Sequence, residues 1–107
     1  MKYKFGIPEN IINEILNIIS KYPKVEKCFI YGSRAKGNYL NGSDIDITII
    51  APEMEFYEYL DILSQLEELN IPYIIDLTKF ELLDEPLKEH IIRKGILIYK
   101  KTETNEF

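Results

Sequence analysis

The chain is poor in cysteine, in basic charge and in long apolar runs, and each shortage removes a class of protein. Cys28 is the one cysteine among 107 residues, so no disulfide can form within the chain. A disulfide-stapled scaffold is excluded, and the usage suits a reducing cytosol. Cys28 itself reads as a small core residue. The opening "MKYKFGIPEN" has no apolar stretch behind its lysines, so a secretory leader is not expected. No run approaches the roughly 20 apolar residues of a membrane span. The location these features suggest is cytoplasmic. Lys and Arg number 13 against 18 Asp and Glu, a formal net charge of −5. Such a chain lacks the broad basic surface that tracks a phosphate backbone, which argues against general nucleic-acid binding. Repeats, low-complexity tracts and linkers are also missing. The length suits one domain over residues 1–107, with a polar, frayed tail from about 101.

What is present reads as an ordinary globular composition, 46% hydrophobic and 29% charged. "PENIINEILNIISKY" (8–22) predicts a helix, with Pro8 in its first turn and an isoleucine face at helical spacing. "VEKCFIYG" (25–32) predicts a strand. "SRAK" predicts one helical turn that Gly37 can close in the left-handed conformation, and Asn41-Gly42 signals a tight turn. "DIDITII" (44–50) alternates: Ile45, Ile47 and Ile49 share one face, Asp44, Asp46 and Thr48 the other. A helix over 53–69, a strand over 71–80, a helix over 85–95 and a last strand over 96–100 follow. This order predicts an α+β fold, an α/β sandwich whose mixed β-sheet carries helices on one face.

The aspartates are the anomaly. Asp is disfavoured in strands, and an ionised carboxylate is costly in a core. Asp44 and Asp46 point the same way, and Asp76 repeats the oddity in another strand. A divalent cation relieves the repulsion among them. Mg²⁺ takes a few carboxylates together with water and phosphate oxygens, and three carboxylates can hold two ions for in-line phosphoryl displacement. The bland reading of "DID" alone is the wet face of an edge strand. Gly32-Ser33 adds to the metal reading, because a glycine between strand and helical turn admits a phosphate to the backbone N–H groups. Taken alone it is an ordinary turn with Ser33 as cap. Arg34 and Lys36 bring positive charge nearby. His90, on the third long helix, reads as a rim residue.

Together these residues form a pattern. "GSRAKGNYLNGSDIDITII" resembles the signature of the polymerase-β-like nucleotidyltransferase superfamily: Gly-Ser, a ten-residue spacer, Asp-x-Asp, then a third Asp in a later strand. With Arg34, Ala35, Gly37 and Ser43 it is most similar to the minimal nucleotidyltransferase (MNT) family, over essentially the whole chain. The resemblance implies a nucleotidyltransferase fold. It implies that Gly32 and Ser33, with Arg34, hold the triphosphate, and that Asp44 and Asp46 bind two Mg²⁺ ions. Asp76 would complete the metal site and help deprotonate the acceptor hydroxyl. Lys36 stands where arginine is common, keeping the charge but not the planar fork. The implied reaction transfers AMP from ATP to a hydroxyl of a partner protein, with the chain acting as antitoxin of a HEPN-domain toxin. A small-molecule acceptor, or an antitoxin acting by contact alone, are the alternatives. The intact aspartates favour catalysis, and the small size favours a protein acceptor.

Overall fold

The computed structural model describes residues 2–102. A two-stranded hairpin of β1 (Tyr3–Lys4) and β2 (Ile7–Pro8) leads directly into helix α1 (Glu9–Ile19). Strand β3 (Lys27–Tyr31), the single-turn helix α2 (Ser33–Lys36) and strand β4 (Ile45–Ile50) follow. Helix α3 (Phe56–Glu67), strand β5 (Ile75–Lys79), helix α4 (Glu85–Lys94) and strand β6 (Ile96–Lys100) complete the order. The main sheet runs β5-β4-β3-β6. β3 pairs antiparallel with both β4 and β6, while β4 and β5 are parallel and joined through α3. This is the mixed sheet of an α+β fold.

The isoleucines explain the layering. Ile11, Ile12, Ile15, Ile18 and Ile19 form the buried stripe of α1, and Ile45, Ile47 and Ile49 form the buried face of β4. They join one cluster with Ile30, Ile62, Leu66 and Leu77. Burying each such side chain stabilises the fold by roughly 1.5–3 kcal/mol. α4 packs against β3 and buries Ile91 outside that cluster. Caps fix the helix starts. Glu55 and Glu58 form a reciprocal capping box on α3, and Asp84 accepts from the Leu87 N–H at α4, 2.9 Å away.

Several boundaries differ from expectation. The N-terminal hairpin was not expected, because strands of two residues carry no periodicity to read. Its turn holds Phe5 at φ 57° and Gly6 at φ 71°. Pro8 ends β2 and precedes α1 rather than sitting inside the helix. Asp44 precedes β4 by one residue, and β5 begins at Ile75, four residues later than its apolar pattern predicts. Gly37 does close α2 in the left-handed conformation. Lys101 is tied to the Glu26 carbonyl through its N–H and to the Pro23 carbonyl through its Nζ. The part of the expected tail at 103–107 lies outside the described residues.

Candidate active site

Register brings Asp46 and Asp76 together. Asp46 stands opposite Tyr31 on β3 and beside Asp76 on β5. Parallel partners on neighbouring strands are about 4.8 Å apart, so Asp46 and Asp76 occupy one face of the sheet. Asp44, exposed, sits at the mouth of β4. Asp46 is half-buried, with its carboxylate against the backbone of Gly32. A Cβ added to Gly32 would lie 2.6 Å from Asp46 Oδ2, and Gly32 already holds φ 76°. Only glycine satisfies both demands. The Gly-Ser turn and the Asp-x-Asp strand are therefore fitted to each other. Ser33, the first residue of α2, is half-buried beside that contact.

The charges are felt. Burial first, then the neighbouring carboxylates of Asp76 and Asp44, push the Asp46 carboxyl above its ordinary value, while Arg34 opposes the shift. The Tyr31 phenol, a residue the sequence reading passed over, lies on the same face. Its hydroxyl is 3.5 Å from Thr78 Oγ1, and burial together with Asp76 and Asp46 raises it as well. Strand parity could have found Tyr31, which shares its face with Phe29 rather than with Cys28 and Ile30.

Among the described residues, no three Asp, Glu, His or Cys side chains are gathered closely enough to close round one ion. The donor set nevertheless fits Mg²⁺, which uses one or two protein carboxylates and draws its other oxygens from water and phosphate. Asp46 and Asp76 offer carboxylate oxygens from one sheet face, the hard donors that such a cation takes.

Arg34, named above among the nucleotide ligands, is turned inward. It is 2% exposed. Its Nε and Nη2 donate to the Ser43 carbonyl at 3.1 and 2.7 Å, and its Nη1 donates to the Phe5 carbonyl at 2.9 Å. The rings of Tyr39 and Tyr73 lie 5.0 and 5.3 Å from the guanidinium carbon. Three carbonyl-directed bonds and two aromatic faces compensate the burial of this charge. Lys36 is exposed, and His90 is half-buried on α4.

Comparison with known proteins gives a consistent result. The family model described as "Polymerase beta, Nucleotidyltransferase" matches residues 13–104. No curated protein matches the chain. Among solved structures, a putative nucleotidyltransferase from Sulfolobus solfataricus superposes with TM-score 0.57 at 26% identity, covering 86% of this chain and 79% of that one. A toxin-antitoxin with AMP-PNP superposes with TM-score 0.68 at 21% identity, covering 89% and 75%. A complex of a tri-AMPylated Shewanella oneidensis HEPN toxin with an MNT antitoxin gives TM-score 0.64 at 17% identity, covering 87% and 72%.

Proposed function

The chain belongs to the polymerase beta nucleotidyltransferase family, and from that premise we propose that it is an Mg²⁺-dependent adenylyltransferase. Its acceptor is a hydroxyl on a partner protein, a HEPN-type toxin that it silences as antitoxin. The observation that carries this reading is the fit of Asp46 between Gly32 and the strand bearing Asp76. It joins the phosphate-binding turn and the acidic face into one site.

Asp44 and Asp46 are the residues to hold Mg²⁺, with Asp76 beside them. Bound there, the cation offsets negative charge on the triphosphate and on the leaving pyrophosphate. Gly32 leaves the backbone of the turn open, and Ser33 adds a hydroxyl donor to the phosphates. The acceptor oxygen attacks the α-phosphorus, the bond to pyrophosphate breaks, and the acceptor's proton passes to Asp76. Burial and the neighbouring carboxylates of Asp76 and Asp44 raise the Asp46 carboxyl, and a positive charge bound there would oppose that shift.

Two observations support a protein as acceptor. The toxin-antitoxin complexes among the structural neighbours share this fold. Phe56, Tyr57 and Leu60 stand exposed on the first turns of α3, an apolar surface of the kind protein partners cover. The test is incubation with each α-labelled nucleoside triphosphate, Mg²⁺ and a HEPN-domain protein. The expected result is label on that protein from ATP. Label on an added small hydroxyl compound alone would favour the small-molecule reading. Neutralisation of the toxin with no transfer would leave contact as the mechanism.

A further inference from the structure

The buried guanidinium of Arg34 joins four separate pieces of the chain. Its own helix, α2, begins at the Gly-Ser turn. Two of its donors converge on the carbonyl of Ser43, whose next residue is Asp44. A third reaches the carbonyl of Phe5 in the N-terminal hairpin. The guanidinium carbon also lies over the ring of Tyr73, on the approach to β5 and three residues before Asp76, and over the ring of Tyr39. The hairpin is seated on the Tyr39 ring: a Cβ on Gly6 would collide with it. Phe5 holds a positive φ of 57°, rare for a residue with a side chain, at the position whose carbonyl Arg34 takes. Backbone strain of that kind persists only where surrounding contacts over-determine it.

We infer that Arg34 is a positioning residue that latches the N-terminal hairpin, the loop ending at Ser43 and the approach to β5 into one block, and so sets where Asp44, Asp46 and Asp76 stand. The inference rests on the reading of these aspartates as the metal site. Arg34 itself touches neither the metal nor the nucleotide. Its planar fork suits the task, because one rigid group meets two carbonyls while lying over two tyrosine rings. Lysine offers the charge without that geometry.

The test is Mn²⁺ binding to the nucleotide-free full chain, followed by electron paramagnetic resonance, for the wild type, Arg34→Gln, Arg34→Lys and Gly6→Ala. Arg34→Gln separates the possibilities by sign. Removing a positive charge near the aspartates tightens cation binding if only electrostatics matters. If the latch positions the ligands, binding weakens, by about 10-fold as for other supporting residues of metal sites. Arg34→Lys keeps the charge and is expected to weaken Mn²⁺ by a similar factor, with no rescue. Gly6→Ala alters no charge and touches only the hairpin's seat, so a smaller weakening is expected there. Should Arg34→Gln not fold, Arg34→Lys and Gly6→Ala decide. With nucleotide, the latch predicts a fall in kcat of up to about 100-fold from misplaced ligands while KM for ATP stays near the wild type. A rise in KM with kcat preserved would make Arg34 a phosphate ligand and overturn the inference. Wild-type Mn²⁺ affinity in folded Arg34→Lys and Gly6→Ala would also overturn it, and would leave the metal site standing. Absence of Mn²⁺ binding by the wild type would bring down both readings.

Discussion

On one face of the sheet Ile45, Ile47 and Ile49 are each no more than 1% exposed, packed beneath α1 and α3. On the other face, one residue along the same strand, Asp46 lies half-buried beside Asp76 with its carboxyl pushed upward. β4 therefore serves two opposed purposes at alternate positions. The isoleucine face gains free energy from removal of apolar surface from water. The aspartate face gives some back, through desolvated and mutually repelling carboxylates. Stability and chemistry are thus separable along β4 residue by residue. Substitutions on one face should act on folding, and those on the other should act on transfer.

The largest effect is expected from breaking the apolar face. Ile47→Ala removes a fully buried side chain at the centre of the sheet and should cost about 2–5 kcal/mol in urea unfolding. A loss under about 1 kcal/mol would mean that the face is not packed as described. Gly32→Ala comes next and strikes the contact between the Gly-Ser turn and Asp46. Its Cβ collides with Asp46 Oδ2, and its backbone conformation is strained for alanine. We expect about 1–3 kcal/mol of destabilisation together with near-complete loss of transfer. Full activity in that variant would detach the Gly-Ser turn from the aspartates.

A pH series sharpens the contrast further. Asp46 is raised above its ordinary 3.8, so the folded protein holds this proton more tightly than the unfolded chain does. Its contribution favours folding fully below about pH 3.8 and is lost as pH rises through the raised value. The metal-free wild type should therefore lose stability relative to Asp46→Asn across that rise. Saturating Mg²⁺ at neutral pH should restore it, because a ligand that binds only the folded state stabilises it. Melting curves of both proteins, with and without Mg²⁺, measure this directly. A difference independent of pH and of Mg²⁺ would restore the bland view of a wet strand face. The smallest effect is expected for Ser33→Ala, about five-fold on transfer, since one hydroxyl is worth about 1 kcal/mol and the backbone N–H groups remain.

The two faces were not equally legible in the sequence. Period-2 alternation in "DIDITII" gave both at once, and helical spacing gave α1 and α3, because burial imposes those periods. The pairing of Asp46 with Asp76 followed from a shared oddity, a carboxylate among apolar strand residues. Arg34 could not be read. Its partners, the carbonyls of Phe5 and Ser43, are 29 and 9 residues away, and a backbone carbonyl leaves no mark in a sequence. The hairpin at 3–8 was hidden for a related reason. Its conformation is fixed by the seat of Gly6 against Tyr39, a contact that no local pattern announces. Tyr31 was hidden by its own hydrophobic neighbours, although parity placed it.

Asp46→Asn separates folding from transfer in a single variant, assayed for both on one metal-free preparation to which Mg²⁺ and ATP are then added. The substitution keeps the shape of the side chain and removes one of the repelling charges. Asparagine's neutral amide is a poor ligand for Mg²⁺. The expected result is a melting temperature equal to or above that of the metal-free wild type, with transfer of label from α-labelled ATP at background. Transfer at the wild-type rate, or a melting temperature lowered as far as in Ile47→Ala, would contradict it.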